Sequence, residues 1–147
     1  MRANIQVVSL FHVLEHLRDP LLLIKALIDQ LPDARTFIME VPSAEDPLIS
    51  LIPCPSFEAF TYWSHHEHLH SKKSLEVLLG KAFASVEVRR LQRYGLGNHL
   101  GWLATGKPGG QEKYPWLVES KADAEYRALL MAEGYSDSLW AVAEDSY

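Results

Sequence analysis

Ile5 to Leu10 is a short apolar run, and from Leu21 to Leu31 apolar side chains recur at helical spacing, so a buried strand is expected to pass into a helix between them. The connection, Ser9 to Pro20, carries His12, Glu15 and His16, groups that bond and titrate, where a structural turn more often uses Gly, Asn or Ser. Asp19 is placed to cap that helix, with Pro20 at its first position, where a missing N–H costs nothing. The helix stops at Pro32-Asp33, a turn pair, and Arg35 to Val41 is rich enough in apolar and β-type residues to form a second buried strand.

Pro42 to Phe60 is irregular, with four prolines and one cysteine, and reads as a long loop of the kind that serves as a lid or binding segment. A helix is expected from Lys72 to about Phe83, capped by Ser71 or Ser74, and Ser85 to Leu91 alternates like a strand with one wet face. Gly95-Leu96-Gly97 and Gly106 to Gly110 read as turns, neither between a strand and a helix. Lys121 to Glu133 is amphipathic and stops at Gly134, and Ser138 to Ala143 is a last strand. Strands alternating with helices indicate an α/β fold with a mostly parallel sheet.

Composition narrows the function classes. At 147 residues with 48% apolar side chains, the chain can close one core. It has no apolar run long enough to span a membrane and no secretory leader pattern after the brief polar lead-in Met1 to Asn4, so a cytoplasmic, membrane-free protein is expected. The formal charge of −5 and the lack of a basic stripe argue against nucleic acid as a partner. Cys54, alone between Pro53 and Pro55, suits a reducing compartment and has no evident partner.

Two placements carry candidate chemistry. Glu40, near the end of the second strand, faces a ligand crevice or pairs at the surface. Tyr62 to His70 is the densest polar-aromatic cluster, with His65, His66, Glu67, His68 and His70. Zinc wants three or four N, S or O ligands at close range, which such a run could supply, but neither H-E-x-x-H nor a cysteine pair is present, and no metal ligand is assigned from spacing. A helix start with surface imidazoles explains the same residues, and core packing would explain Tyr62 and Trp63.

Val7-Val8-Ser9-Leu10, then Val13-Leu14-Glu15-His16-Leu17 and Asp19-Pro20, resembles the segment after the fourth strand of class I S-adenosylmethionine-dependent methyltransferases. Phe37-Ile38-Met39-Glu40-Val41-Pro42 resembles their fifth strand, Glu67-His68-Leu69-His70-Ser71 with Ser74-Leu75 the segment before the next helix, and Asn98 with Trp102 a later signature. The resemblance covers nearly the whole chain but only the second half of the family domain. It implies one partial domain over residues 1–147, running from strand four onward. The implied fold is a truncated Rossmann-like methyltransferase fold, with helices flanking a mostly parallel sheet and an antiparallel last strand.

The implied activity is methyl transfer from S-adenosylmethionine to a small acceptor, with sugars among the candidates because the similar subgroup is associated with sugar biosynthesis. His12 and Leu14 fall where the family's loop passes the methionine part of the cofactor, while Glu15 and His16 are structural or near the acceptor. Glu67 and His68 fall in a segment lining the acceptor pocket, and Tyr94 and Asn98 face the acceptor or serve as turn and cap residues. The sulfonium is already an activated electrophile, so the protein must align the methyl group and accept a proton from the acceptor. A histidine suits that second task, with His66 and His68 the candidates and Tyr62 a hydroxyl to orient the acceptor.

The family's glycine turn after its first strand, which lets backbone approach the cofactor, has no counterpart here, so the isolated chain is expected to be inactive. The family's fourth strand lies beside its first, and without that neighbour a sheet edge is bare. A homo-oligomer, or a partner supplying the N-terminal half, is therefore expected. Two other readings stand beside this one: a noncatalytic oligomeric interaction module on the same scaffold, and a His-cluster metal protein.

Overall fold

Four strands form one sheet in the order β1-β2-β4-β3, with β1 at Val7–Phe11, β2 at Thr36–Pro42, β3 at Ser85–Leu91 and β4 at Ser138–Glu144. The computed structural model describes residues 5–63, without the Trp63 side chain, and 65–144. The lead-in Met1 to Asn4, the packing expected of Trp63, and Ser64 within the His-rich cluster lie outside the described residues. β1 pairs parallel with β2, whereas β4 runs antiparallel to both β2 and β3. Three strands thus share a direction and the last is reversed between two of them, as expected of a truncated Rossmann-like sheet.

One face of this sheet is the core. Val8, Leu10, Phe37, Met39, Val41, Leu139, Ala141, Ala143 and Val88 point to it, following the period of two along each strand. Helix α1 (Pro20–Gln30) covers it with Ile24, Leu27 and Ile28, and α4 (Lys72–Leu79) with Leu75, Leu78 and Leu79. Both helices begin as the sequence indicates: the Asp19 carboxylate accepts from the Leu22 N–H at 3.1 Å, and the Ser71 hydroxyl from the Ser74 N–H at 3.1 Å.

The opposite face is sparsely covered. Val7 and Phe11 are 52% and 49% exposed, and the Phe11 ring stacks on Trp140 at 5.5 Å between centroids. The outer edge of β1 pairs with no strand among the described residues.

The proline-rich stretch is not irregular. It forms α2 (Pro47–Ser50) and α3 (Pro55–Trp63), each started by a proline, and Asp46 caps α2 as Asp19 caps α1. The region around Gly95 also departs from the sequence reading. Gly95 precedes a ten-residue helix, α5 (Leu96–Thr105), so Gly95-Leu96-Gly97 does lie between a strand and a helix. α6 (Gly110–Lys113) and α7 (Lys121–Ala132) follow, and Trp102 of α5 joins Leu48, Cys54 and Phe57 in a second small core.

Candidate functional site

The cluster begins where β1 ends. His12 continues the ladder through its N–H to the Glu40 carbonyl at 2.9 Å but takes a left-handed backbone, φ 54°. That conformation is uncommon outside glycine and turns the chain sharply off the sheet. The short 3₁₀ turn Leu14–His16 follows, with the Leu14 and Glu15 side chains fully buried. The Glu15 carbonyl then accepts the N–H groups of Glu67, at 2.7 Å, and His68, at 3.2 Å. Two stretches about a third of the chain apart in sequence are clamped together, and the His-rich loop is laid against the post-β1 turn.

Imidazoles and carboxylates converge at that clamp. The ring nitrogens of His12 lie 3.3 Å from Glu15 and 3.6 Å from Glu40, and His16 Nε2 lies 3.9 Å from Glu15. The rings of His16 and His66 are 5.0 Å apart. Burial pulls the His66 pKa below its ordinary value, an effect opposed by the Glu15 carboxylate. Glu40 is almost fully buried and is held by Arg93, the first residues of the loop beyond β3 reaching back across the sheet edge.

Beside this cluster opens a cavity of about 380 Å³, whose wall includes His12, Phe60, His66, Arg93, Tyr94 and Asp137. It lies at the C-terminal ends of β1 and β2, the edge at which open α/β sheets take ligands. Asp137 holds its rim in place, one carboxylate oxygen accepting the N–H groups of Arg93, at 2.8 Å, and Tyr94, at 2.7 Å. Burial pushes the Asp137 pKa up to about 6 despite those bonds, and pushes that of Asp46, also on the wall, up to about 7.

The residues singled out in the sequence separate into those on the cavity and those off it. His12, His66 and Tyr94 line it. The Leu14 side chain belongs to the main core, so only its backbone is available to a ligand. His68 donates its Nε2–H to the Arg18 carbonyl at 3.2 Å and is exposed, Glu67 pairs with Arg18 at the surface, and Tyr62 is half exposed. Asn98 is buried, donates to Gln111 at 3.0 Å, and lines a separate cavity of about 260 Å³. Glu40 neither lines the cavity nor reaches the surface: it is buried behind the wall, paired with Arg93 and close to His12. Arg93, Asp46 and Asp137 were missed: only the Asp46-Pro47 pair, a repeat of Asp19-Pro20, carried a local signal.

The glycines are committed elsewhere. A Cβ on Gly101 would sit 2.4 Å from the Gly110 Cα, and one on Gly110 would sit 2.1 Å from the Gly97 carbonyl, so these residues let α5 and α6 touch. At Gly95 the space of a Cβ is filled by the Asp123 carboxylate, which accepts the Leu96 N–H at 2.7 Å. The start of α5, the one strand-to-helix turn with a Gly-x-Gly sequence, is thus capped by the protein itself, leaving that anion-binding position taken.

The model of a family described as "Methyltransferase domain" matches residues 2–83. Among solved structures, the small RNA methyltransferase HEN1 aligns with 97% of this chain and 14% of its own, at 11% identity and a TM-score of 0.54. A SAM-dependent methyltransferase from Archaeoglobus fulgidus aligns with 95% of this chain and 59% of its own, at 19% identity and a TM-score of 0.50. The chain therefore spans less than two thirds of either structure. No curated protein matches the sequence. Among the described residues, no helix is long and apolar enough to cross a membrane.

Proposed function

This chain belongs to the methyltransferase-domain family, and from that premise we propose that it forms the acceptor side of an S-adenosylmethionine-dependent methyltransferase acting on a small molecule, a sugar being the first class to try. The observation that carries this reading is the 380 Å³ cavity at the strand ends, with His12, His66 and Phe60 in its wall. A cavity of this size suits a monosaccharide-sized ligand. His66 takes the acceptor's proton, Arg93 and Tyr94 orient polar groups, and Phe57 and Phe60 supply an apolar wall.

The cofactor fits these residues only in part. When bound, S-adenosylmethionine supplies an electrophilic methyl group. His12 and the Leu14 backbone offer one wall for it, but the eight glycines of this sequence cap helices or pack them and none cradles a ligand after β1. No step is derived through it. A second polypeptide segment, or a second copy, completes the cofactor site and covers β1 and the open sheet face.

Titration with S-adenosylhomocysteine tests this reading. The chain alone is expected to give no heat, whereas the chain purified with the polypeptide encoded immediately upstream is expected to bind at micromolar strength, on the order of 8 kcal/mol. Absence of binding in both preparations would favour a noncatalytic interaction module on the same scaffold.

A further inference from the structure

We propose that Glu15, His16 and His66 form a binding site for one divalent transition-metal ion of the zinc class. Each offers one ligand atom, and these atoms all lie within 4.8 Å of one another. In a tetrahedral zinc site with bonds of 2.0–2.1 Å, ligands stand about 3.3 Å apart. Binding therefore requires the ligand atoms to draw together, chiefly by rotation of the His66 ring, which is only partly buried.

Two independent features point to a cation. Glu15 is fully buried, yet among the described residues neither of its carboxylate oxygens has a hydrogen-bond donor. Buried carboxylates are normally hydrogen-bonded, paired or bound to a metal, and here imidazole nitrogens of His12 and His16 stand 3.3 Å and 3.9 Å from one of its oxygens. His16 is also fixed in the tautomer that ligation needs. Its Nδ1 faces the His65 carbonyl at 3.0 Å, an oxygen that can only accept, so Nδ1 carries the proton and the Nε2 lone pair is turned toward Glu15. Metal-bound histidines characteristically donate their second ring nitrogen to a carbonyl or carboxylate in this way.

Two imidazole nitrogens and one carboxylate oxygen make the donor set of three-ligand zinc sites, in which a fourth position is left to water or substrate. His66 belongs both to this cluster and to the wall of the large cavity, so the fourth position is reached from the acceptor space. In the metal-loaded chain His66 is a ligand, and His12 is the imidazole left facing the cavity.

The test is isothermal titration of the tag-free full chain with zinc chloride, followed by metal analysis after dialysis. One equivalent bound at micromolar strength or tighter is expected. His66→Ala and Glu15→Gln should each weaken binding at least ~100-fold, while His68→Ala, which removes an exposed imidazole outside the cluster, should leave it within ~2-fold. Circular dichroism checks that each variant is folded, and His66, being only partly buried, supplies a variant whose folding is least at risk. Failure of the wild-type chain to bind zinc, or loss of binding in His68→Ala equal to that in His66→Ala, would overturn the proposal. The readout is made on the chain alone and does not depend on methyl transfer.

Discussion

Arg93, from the loop after β3, forms an ion pair with Glu40, at the end of β2 and almost fully buried, 53 residues away in sequence. Glu40 sits beside His12, so this pair joins the cavity wall to the sheet edge. Removing one partner of a buried pair leaves an uncompensated charge, and because the Arg93 side chain is half exposed the cost is a discounted one. Arg93→Ala is expected to lower unfolding free energy by roughly 2 kcal/mol. Adding Glu40→Gln should recover most of that loss, which urea unfolding of the single and double variants would measure; equal stability of wild type and Arg93→Ala would show the pair to be inert.

A second prediction concerns pH. Asp46 has a folded pKa of about 7, raised by burial from an ordinary 3.8, with Asp137 close enough to push it further in the same direction. The folded state therefore binds more protons than the unfolded state between those values, and this group's contribution to stability is present below about pH 4 and lost as pH rises through 7. Asn at position 46 can still accept the Leu48 N–H bond that starts α2. Asp46→Asn should thus raise the melting temperature at pH 8 and change it little at pH 4.5. An equal effect at both pH values would mean that Asp46 stays ionised throughout.

What the sequence disclosed and what it hid follow the range of the forces involved. The starts of α1 and α4 were legible because a cap is made by residues two or three positions apart, as with Asp19-Pro20 and Ser71. Strands β1 to β4 were legible from apolar runs and alternation. The start of α5, Gly95-Leu96-Gly97, was read as a turn because glycine is a poor helix former, whereas in the fold Gly95 admits the Asp123 carboxylate of α7 and Gly101 admits α6 to close contact. In the candidate site, His12 and His66 stood out as chemistry-bearing residues. The groups that hold them could not be seen in sequence, since Glu15 meets the His-rich loop, and Asp137 the Arg93 backbone, only after folding.

The close approach of α5 to α6 sets up a third prediction. Gly101→Ala would drive a methyl group onto the Gly110 backbone, which cannot yield as a flexible side chain can. Overpacking of this kind costs about 1–3 kcal/mol. Gly80→Ala meets the Glu76 carbonyl at 3.1 Å, a contact that a shift of a few tenths of an ångström relieves, in a right-handed conformation, and should cost clearly less. Comparing the two by thermal unfolding separates helix contact from a general intolerance of alanine, because only the first account predicts a difference.

The open face of the sheet yields the last prediction. Phe11 and Val7 are about half exposed on an edge strand whose outer N–H and C=O groups pair with no other strand among the described residues. Apolar side chains on an unpaired edge promote strand addition or stacking of sheets, and a charge placed there opposes both. The purified chain is therefore expected to self-associate with a concentration-dependent sedimentation coefficient, and Val7→Lys should shift it toward monomer without loss of secondary structure. Val7 is chosen over Phe11 because Phe11 also stacks on Trp140, so its removal would disturb packing within the chain as well as contact between chains. A wild-type chain that sediments as a monomer at every concentration, with the same melting temperature as Val7→Lys, would show that the edge is stable uncovered and that neither a second copy nor a separate segment is needed to complete the sheet.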